Sequence, residues 1–195
     1  MTRIYRPTIM LAAALSLTAC GVNSVPTAEE NAKAKWANVQ ADYQRRADLI
    51  PNLVETVKGF AKQEQGTLTA VVEARAKATS VQLNAADLND PEKVAAFQAA
   101  QTQLSGSLGR LLATVEAYPD LKSNANFLAL QSQLEGTENR INISTKDYND
   151  AVQSYNTTIR TFPDAIGAKI FYGAKPMETF KATAPNAHRA PTVKF

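Results

Sequence analysis

Residues 127–162 read FLALQSQLEGTENRINISTKDYNDAVQSYNTTIRTF, and in them Phe127, Leu134, Ile141, Tyr148, Tyr155 and Phe162 recur every seven residues. Leu130, Val152 and Ile159 fill positions between them. Apolar residues at three- and four-residue steps form one stripe along an α-helix, and no run with the two-residue period of a strand competes. Pro163 closes the stretch, because proline has no N–H with which to continue the ladder. Upstream, Ser123–Asn126 offer several side chains able to cap a helix start. A helix of about forty residues is ~60 Å long. A stripe of that length needs neighbours of similar length to cover it, which predicts antiparallel packing in a bundle.

Two further runs supply those neighbours. Asp90-Pro91 pairs a capping carboxylate with proline at the first helical position, and Val94, Phe97, Leu104, Leu108, Leu111, Val115 and Tyr118 follow on one face until Pro119. Earlier, Thr27-Ala28-Glu29-Glu30 has the spacing of a capping box, and Trp36, Val39, Tyr43, Ile50, Leu53, Val57 and Phe60 form a third face. Pro51 interrupts that face and predicts a kink, since its ring clashes with the carbonyl of Ala47. Gly66 weakens the run further, and a reversal around Gln63–Gly66 would give a fourth segment. The expected fold is all-α: an antiparallel up-and-down bundle of three to four long helices over residues 27–163. Residues 164–195, with Gly167, Gly173, Pro176, Pro185 and Pro191, read as a loosely ordered C-terminal tail.

The first residues are of a different kind. Arg3 and Arg6 precede an apolar run, Ile9–Ala19, that is too short for the ~20 residues a spanning helix needs. It ends in Leu17-Thr18-Ala19-Cys20-Gly21, which resembles the lipobox of bacterial lipoproteins. The expectation is a signal peptide over residues 1–19, a diacylated Cys20 as lipid anchor, and a tether over residues 20–26. One acyl chain holds a protein only marginally at a membrane, whereas two or three hold it stably. Gly21 in place of Asp points, by the same resemblance, to the outer membrane facing the periplasm rather than to the inner membrane.

Composition excludes several classes of function. The sequence pI near 9.0 suggests nucleic acid, but loss of Arg3 and Arg6 with the signal peptide leaves 19 basic against 18 acidic residues. So near-neutral a domain lacks the electrostatic footprint of a nucleic-acid binder. One cysteine excludes an intramolecular disulfide, and a single histidine, His188, excludes a histidine-based metal site. No cofactor motif is present.

Longer strings carry a family resemblance. Residues 45–59 (RRADLIPNLVETVKG), Gly109-Arg110-Leu111-Leu112 through Ala117-Tyr118-Pro119-Asp120-Leu121-Lys122, and 127–131 (FLALQ) are similar to segments of the LemA family. So are 134–141 (LEGTENRI), Tyr148-Asn149, Tyr155-Asn156 and the closing 190–195 (APTVKF). The resemblance covers residues 30–165 and implies an α-helical bundle held at a membrane by its N-terminus. Members commonly begin with an uncleaved transmembrane helix, and here a lipobox stands in its place. The family's biochemical role is poorly defined, so the resemblance brings no activity with it.

A few polar residues interrupt the faces. Arg45, Arg46 and Asp48 precede Pro51 and Asn52, and Arg46 falls on the apolar seam. A buried arginine needs a carboxylate partner to offset several kcal/mol of desolvation, and Glu138, followed by Asn139 and Arg140, is the candidate. The cluster reads either as an internal ion pair that fixes helix register or as a polar pocket at the kink that binds a peptide or ligand. Gly106 and Gly109, with Ala99, Ala113 and Ala117, form a small-residue strip suited to close approach by a helix of the same bundle or by a partner. Glu29/Glu30 and Asp147/Asp150 suit caps or solvated faces, and Tyr148 and Tyr155 suit the core. Asn142 and Asn156 begin sequon-like triplets that carry no meaning inside a bacterial helix. The functional expectation is a non-enzymatic, lipid-anchored binding or scaffold protein for another envelope protein. The alternatives are an envelope hydrolase using paired carboxylates, which would need two of them converging in a cleft, and a purely structural spacer.

Overall fold

The computed structural model describes residues 23–61 and 63–181, and those residues are predominantly helical. The long helices are α1 (Ser24–Phe60), α2 (Gln65–Ser80), α3 (Pro91–Val115) and α5 (Ala125–Thr158). A single-turn helix, α4 (Pro119–Lys122), links α3 to α5, and another, α6 (Asp164–Gly167), follows α5 and runs into a π-helical turn at Ala168–Tyr172. The helix starts follow local chemistry. Asp90 accepts from the backbone N–H groups of Glu92 and Lys93 with Pro91 behind it, and Asn124 accepts from Asn126 and Phe127. Between Phe60 and Gln65 the chain reverses, so the long first run becomes two helices. Pro51 lies within α1, and the helix continues through it to Phe60.

Close pairing runs in the order α5, α1, α2, α3. Lys35 meets Asp147 while Arg46 meets Glu138, so α5 runs antiparallel to α1. Arg75 donates to the carbonyl of Ala47 and Trp36 to that of Leu83, so the chain from α2 to Leu83 returns along α1. The fourth side of the square stays open: α3 and α5 are spread apart, and side chains of α1 reach between them.

The core has two parts. One is aliphatic and holds Ile50, Leu53, Val57, Leu68, Val71, Leu104, Leu111, Val115, Leu121 and Leu134. The other is aromatic, with Trp36 and Phe180 each in ring contact with the other and with both Phe97 and Tyr148, at centroid distances of 5.4–6.2 Å.

Three expectations are corrected. Helix α1 begins at Ser24, not after a tether ending at residue 26; Val25 is fully buried, and proline at position 26 is tolerated in a first turn, where N–H groups have no partner anyway. Thr27 is therefore inside the helix, and its hydroxyl donates to the carbonyl of Asn23 instead of capping. Phe162 lies past the end of α5 and is 82% exposed, and Phe60 is 47% exposed, so both leave their stripes. The third correction concerns the C-terminal region. Residues 174–180 pack against the bundle, with Met177 and Phe180 buried. Gly173, at φ +55°, ends the π-helical turn in the left-handed region that glycine tolerates. Residues 1–22 and 182–195, including Cys20 and the signal peptide, lie outside the described residues.

Candidate functional site: a polar groove between α3 and α5

Arg46 is the floor of the open side. It sits between the two cores at 2% exposure. One guanidinium nitrogen donates to Ser105 Oγ (2.8 Å) and Glu138 Oε2 (3.0 Å), and the other donates to Gln101 Oε1 (2.7 Å) and the Gln101 carbonyl (3.3 Å). Its carbon centre lies 5.1 Å from the centroid of the Tyr43 ring. A single α1 side chain thereby ties α3 to α5 on the side where those helices are spread apart. The pair is asymmetric, since Glu138 is 48% exposed. Its Coulomb term is screened by water, and Gln101 and Ser105 supply most of the buried contacts.

Above this floor runs a groove of about 860 Å³. Gln98, Gln101, Thr102, Ser105 and Gly106 form the α3 wall; Ile141, Asn142, Thr145 and Asn149 lie along α5, and Phe180 and Lys181 stand at one end. Arg46 Nε and Gln98 Nε2 are buried without a hydrogen-bond partner among the described residues. Burial raises the Tyr43 phenol above its ordinary pKa, with a further upward push from Glu138, against the lowering effect of Arg46 and Thr145.

The far end of the groove shows how α5 holds another stretch of chain. Asn149 donates to the carbonyl of Phe180 (2.9 Å) and accepts from its N–H (2.8 Å). Asn156 does the same to Met177, at 2.8 and 2.9 Å. Tyr148 and Tyr155 donate to the carbonyls of Glu178 and Lys175. Seven helical residues advance ~10.5 Å, and three extended residues span ~10 Å. The two asparagines are thus in register with every third residue of an extended chain, and a primary amide offers the donor and acceptor that a backbone residue needs. Asn142, one heptad before Asn149, lines the groove at the next step of the same ladder.

The other sequence-derived candidates lie elsewhere. Arg45, Asn139 and Arg140 are exposed. Asp48 is exposed and accepts from Gln44 (2.7 Å). Asn52 is exposed, and its carbonyl accepts from Thr56 (2.8 Å). Arg140 borders a separate depression with Lys35, Asp42 and Asp147. The glycine strip faces outward: a Cβ on Gly106 or Gly109 would meet nothing within 4 Å, so no helix of the bundle uses it. The carboxylate pairs are engaged by lysines, Glu29 and Glu30 by Lys33, Asp147 by Lys35 and Asp150 by Lys146. Glu138 and Asp150, the carboxylates bordering the groove, are twelve residues apart on α5, or ~18 Å along its axis. Glycosidase pairs work at roughly 5–9.5 Å.

Sequence reasoning missed Gln101 and Ser105, and it missed the backbone-holding role of the asparagines. The available signal was the repeated Tyr-Asn at 148–149 and 155–156, set on the stripe with an amide beside each ring.

No helix among the described residues is long and apolar enough to cross a membrane, and those residues hold no cluster of metal-ligating side chains. Known proteins resemble this chain along most of its length. It is 28% identical over 160 residues to magnetosome protein MamQ 2 of Paramagnetospirillum magneticum, with 72% of this chain and 58% of that protein covered. It is 27% identical to magnetosome protein MamQ of Magnetospirillum gryphiswaldense, again with 72% and 58% covered. Protein LemA of Metamycoplasma hominis is 25% identical, with 64% of this chain and 52% of that protein covered. The chain thus spans a little over half the length of these relatives. The family model described as LemA family matches residues 35–195, which include α1 from Lys35 onward, both walls of the groove and the asparagine ladder, and the chain belongs to the LemA family.

Proposed function

We propose that this LemA-family protein is a non-enzymatic binding protein of the bacterial envelope whose groove between α3 and α5 holds an extended segment of a partner polypeptide. The observation that carries the reading is the amide ladder. Asn149 and Asn156 each make paired hydrogen bonds to an extended backbone, and Asn142 stands at the next step inside the groove. Backbone recognition of this kind gives affinity without demanding a particular side chain, and neighbouring pockets set the preference. The up-and-down bundle, with a bend at Pro51 close to Arg46, is the frame that keeps α3 and α5 apart. Lipidation of Cys20 would hold this frame at the outer membrane, facing the periplasm. A purely structural spacer has no need of a groove into which the asparagine ladder continues.

The test is a photo-crosslinking residue in place of Asn142, activated in intact cells and read by mass spectrometry. A reproducible partner peptide linked at that position supports the reading. Absence of one, or links only to this chain's own residues, refutes it. The anchor has its own test: Cys20→Ala is expected to abolish labelling by a fatty-acid analogue, and unchanged labelling removes the lipoprotein reading.

A further inference from the structure

Among the described residues, large exposed hydrophobic side chains are concentrated in one short stretch. Phe162 (82% exposed), Phe171 (69%), Ile170 (68%) and Ile166 (52%) all lie in α6 and the turns on either side of it. An apolar cluster of this kind on a soluble surface marks a contact, because water is a poor neighbour for it. Its surroundings say what kind. Arg160 and Lys169 border one shallow depression of about 500 Å³ next to the cluster, with Ala165, Gly173 and Pro176. Both cations are exposed, and neither makes an ion pair among the described residues. Aromatic and branched aliphatic groups rimmed by Arg and Lys match the interface of an anionic bilayer, where rings and methyls enter the acyl boundary and cations meet phosphates.

Position in the fold supplies a second argument. The Ser24 hydroxyl, at the first residue of α1, donates to Asp164 Oδ1 of α6 (2.7 Å). The cluster is therefore at the end of the bundle from which the chain leads back to Cys20, four residues before Ser24 and at most ~14 Å of chain away. We infer that α6 and its flanking turns form a membrane-contacting foot: Phe162, Ile166, Ile170 and Phe171 enter the bilayer interface, while Arg160 and Lys169 hold anionic lipid headgroups. The foot sets the tilt of the bundle on the membrane, which an acyl chain on a short tether does not. It goes beyond the groove reading; its positional argument rests on the anchor at Cys20, while its exposed surface is tested with and without that anchor.

The test places tryptophan reporters in the full chain, with Cys20 either intact or changed by Cys20→Ser. Trp36 is 1% exposed in the core and contributes a constant background, so the change on adding lipid reports the new indole. Vesicles of phosphatidylethanolamine and phosphatidylglycerol, some with brominated acyl chains, are the probe. Phe171→Trp is expected to shift its emission to the blue on adding vesicles and to be quenched by the brominated lipid at least about twofold. Val72→Trp, at a half-exposed site on α2, is expected to do neither. The pair Arg160→Glu and Lys169→Glu, in the Phe171→Trp chain, is expected to weaken vesicle binding by at least ~tenfold at low salt. A reporter at 171 that stays solvent-like with vesicles overturns the inference. So does a blue shift that arises without lipid and grows with protein concentration, which would assign the patch to a second copy. Equal quenching at 72 and 171 also overturns it, because the leader alone would then explain membrane contact.

Discussion

The two ends of the bundle are built differently. At the aliphatic end, Ile50, Leu53, Val57, Leu104, Leu108, Leu111 and Leu134 interlock from helices whose stripes are written in their own sequences. At the aromatic end, Trp36 donates to the carbonyl of Leu83, in the link after α2, and stacks on Phe180, which arrives from outside any helix. Helix periodicity alone completes the first core. The second needs the extended stretch 174–180 to be gripped by Asn149, Asn156, Tyr148 and Tyr155 before it closes. A helix stripe is a local property, whereas a seat for an extended segment is shared between residues far apart in the chain.

Substitutions that open each core should separate the two mechanisms most strongly. Trp36→Ala is expected to cost about 3–5 kcal/mol, through the cavity it leaves among Phe97, Tyr148 and Phe180, and to release residues 174–180. Leu111→Ala should cost about 2–5 kcal/mol while leaving that stretch in place. Denaturant unfolding gives the energies, and amide hydrogen exchange at Met177 and Phe180 reports the release. If both variants free the segment equally, the cores form one cooperative unit and the contrast drawn above is lost.

Arg46 lies at the boundary and tests whether the two ends communicate. Arg46→Ala should cost about 3 kcal/mol, because Gln101 Oε1 loses a charged partner and the tie between α3 and α5 goes. Glu138→Ala should cost about 1 kcal/mol or less, since that carboxylate is half exposed. The double variant should cost less than the sum of the singles. Strict additivity in thermal unfolding would mean that the two groups act independently.

The asparagine ladder predicts smaller, graded effects. Asn149→Ala and Asn156→Ala each strand a backbone N–H and carbonyl, at about 1–2 kcal/mol, with increased exchange confined to the rung removed. Asn142→Ala should leave folding stability within about 0.5 kcal/mol and act only on capture of a partner. A large stability loss at Asn142 would make it a structural residue and not part of a binding site.

The smallest expected effect is alkaline. Burial, then the neighbouring Glu178, raises the Tyr148 phenol well above its ordinary value, and burial also raises Tyr155 and Tyr43. In the unfolded chain these groups ionise near pH 10, so the stability they bring is complete below that pH and lost as pH rises beyond it. Tyr148→Phe should flatten the fall in melting temperature above pH 10, and an unchanged slope would shift the effect to the other tyrosines.

The heptads of 127–155, the Asp90 cap and the aliphatic faces were legible because a helix is fixed by contacts three and four residues apart. The same local logic placed Arg46 on the seam opposite Glu138, since both positions follow from helical phase. It extended the last stripe too far, to Phe162, because periodicity does not register where the backbone stops being helical. It also read the Gly- and Pro-containing stretch after residue 163 as loose. Residues 164–172 are in fact helical, and beyond Gly173 nothing local shows that the asparagines beside Tyr148 and Tyr155 provide an extended chain with its hydrogen bonds. The sequence by itself determined which segments are helices and which faces are apolar. The tertiary structure alone decided that α3 and α5 stay apart, that Arg46 bridges them, and that residues 174–180 complete the second core, because each depends on the match of groups that meet only once the chain has folded.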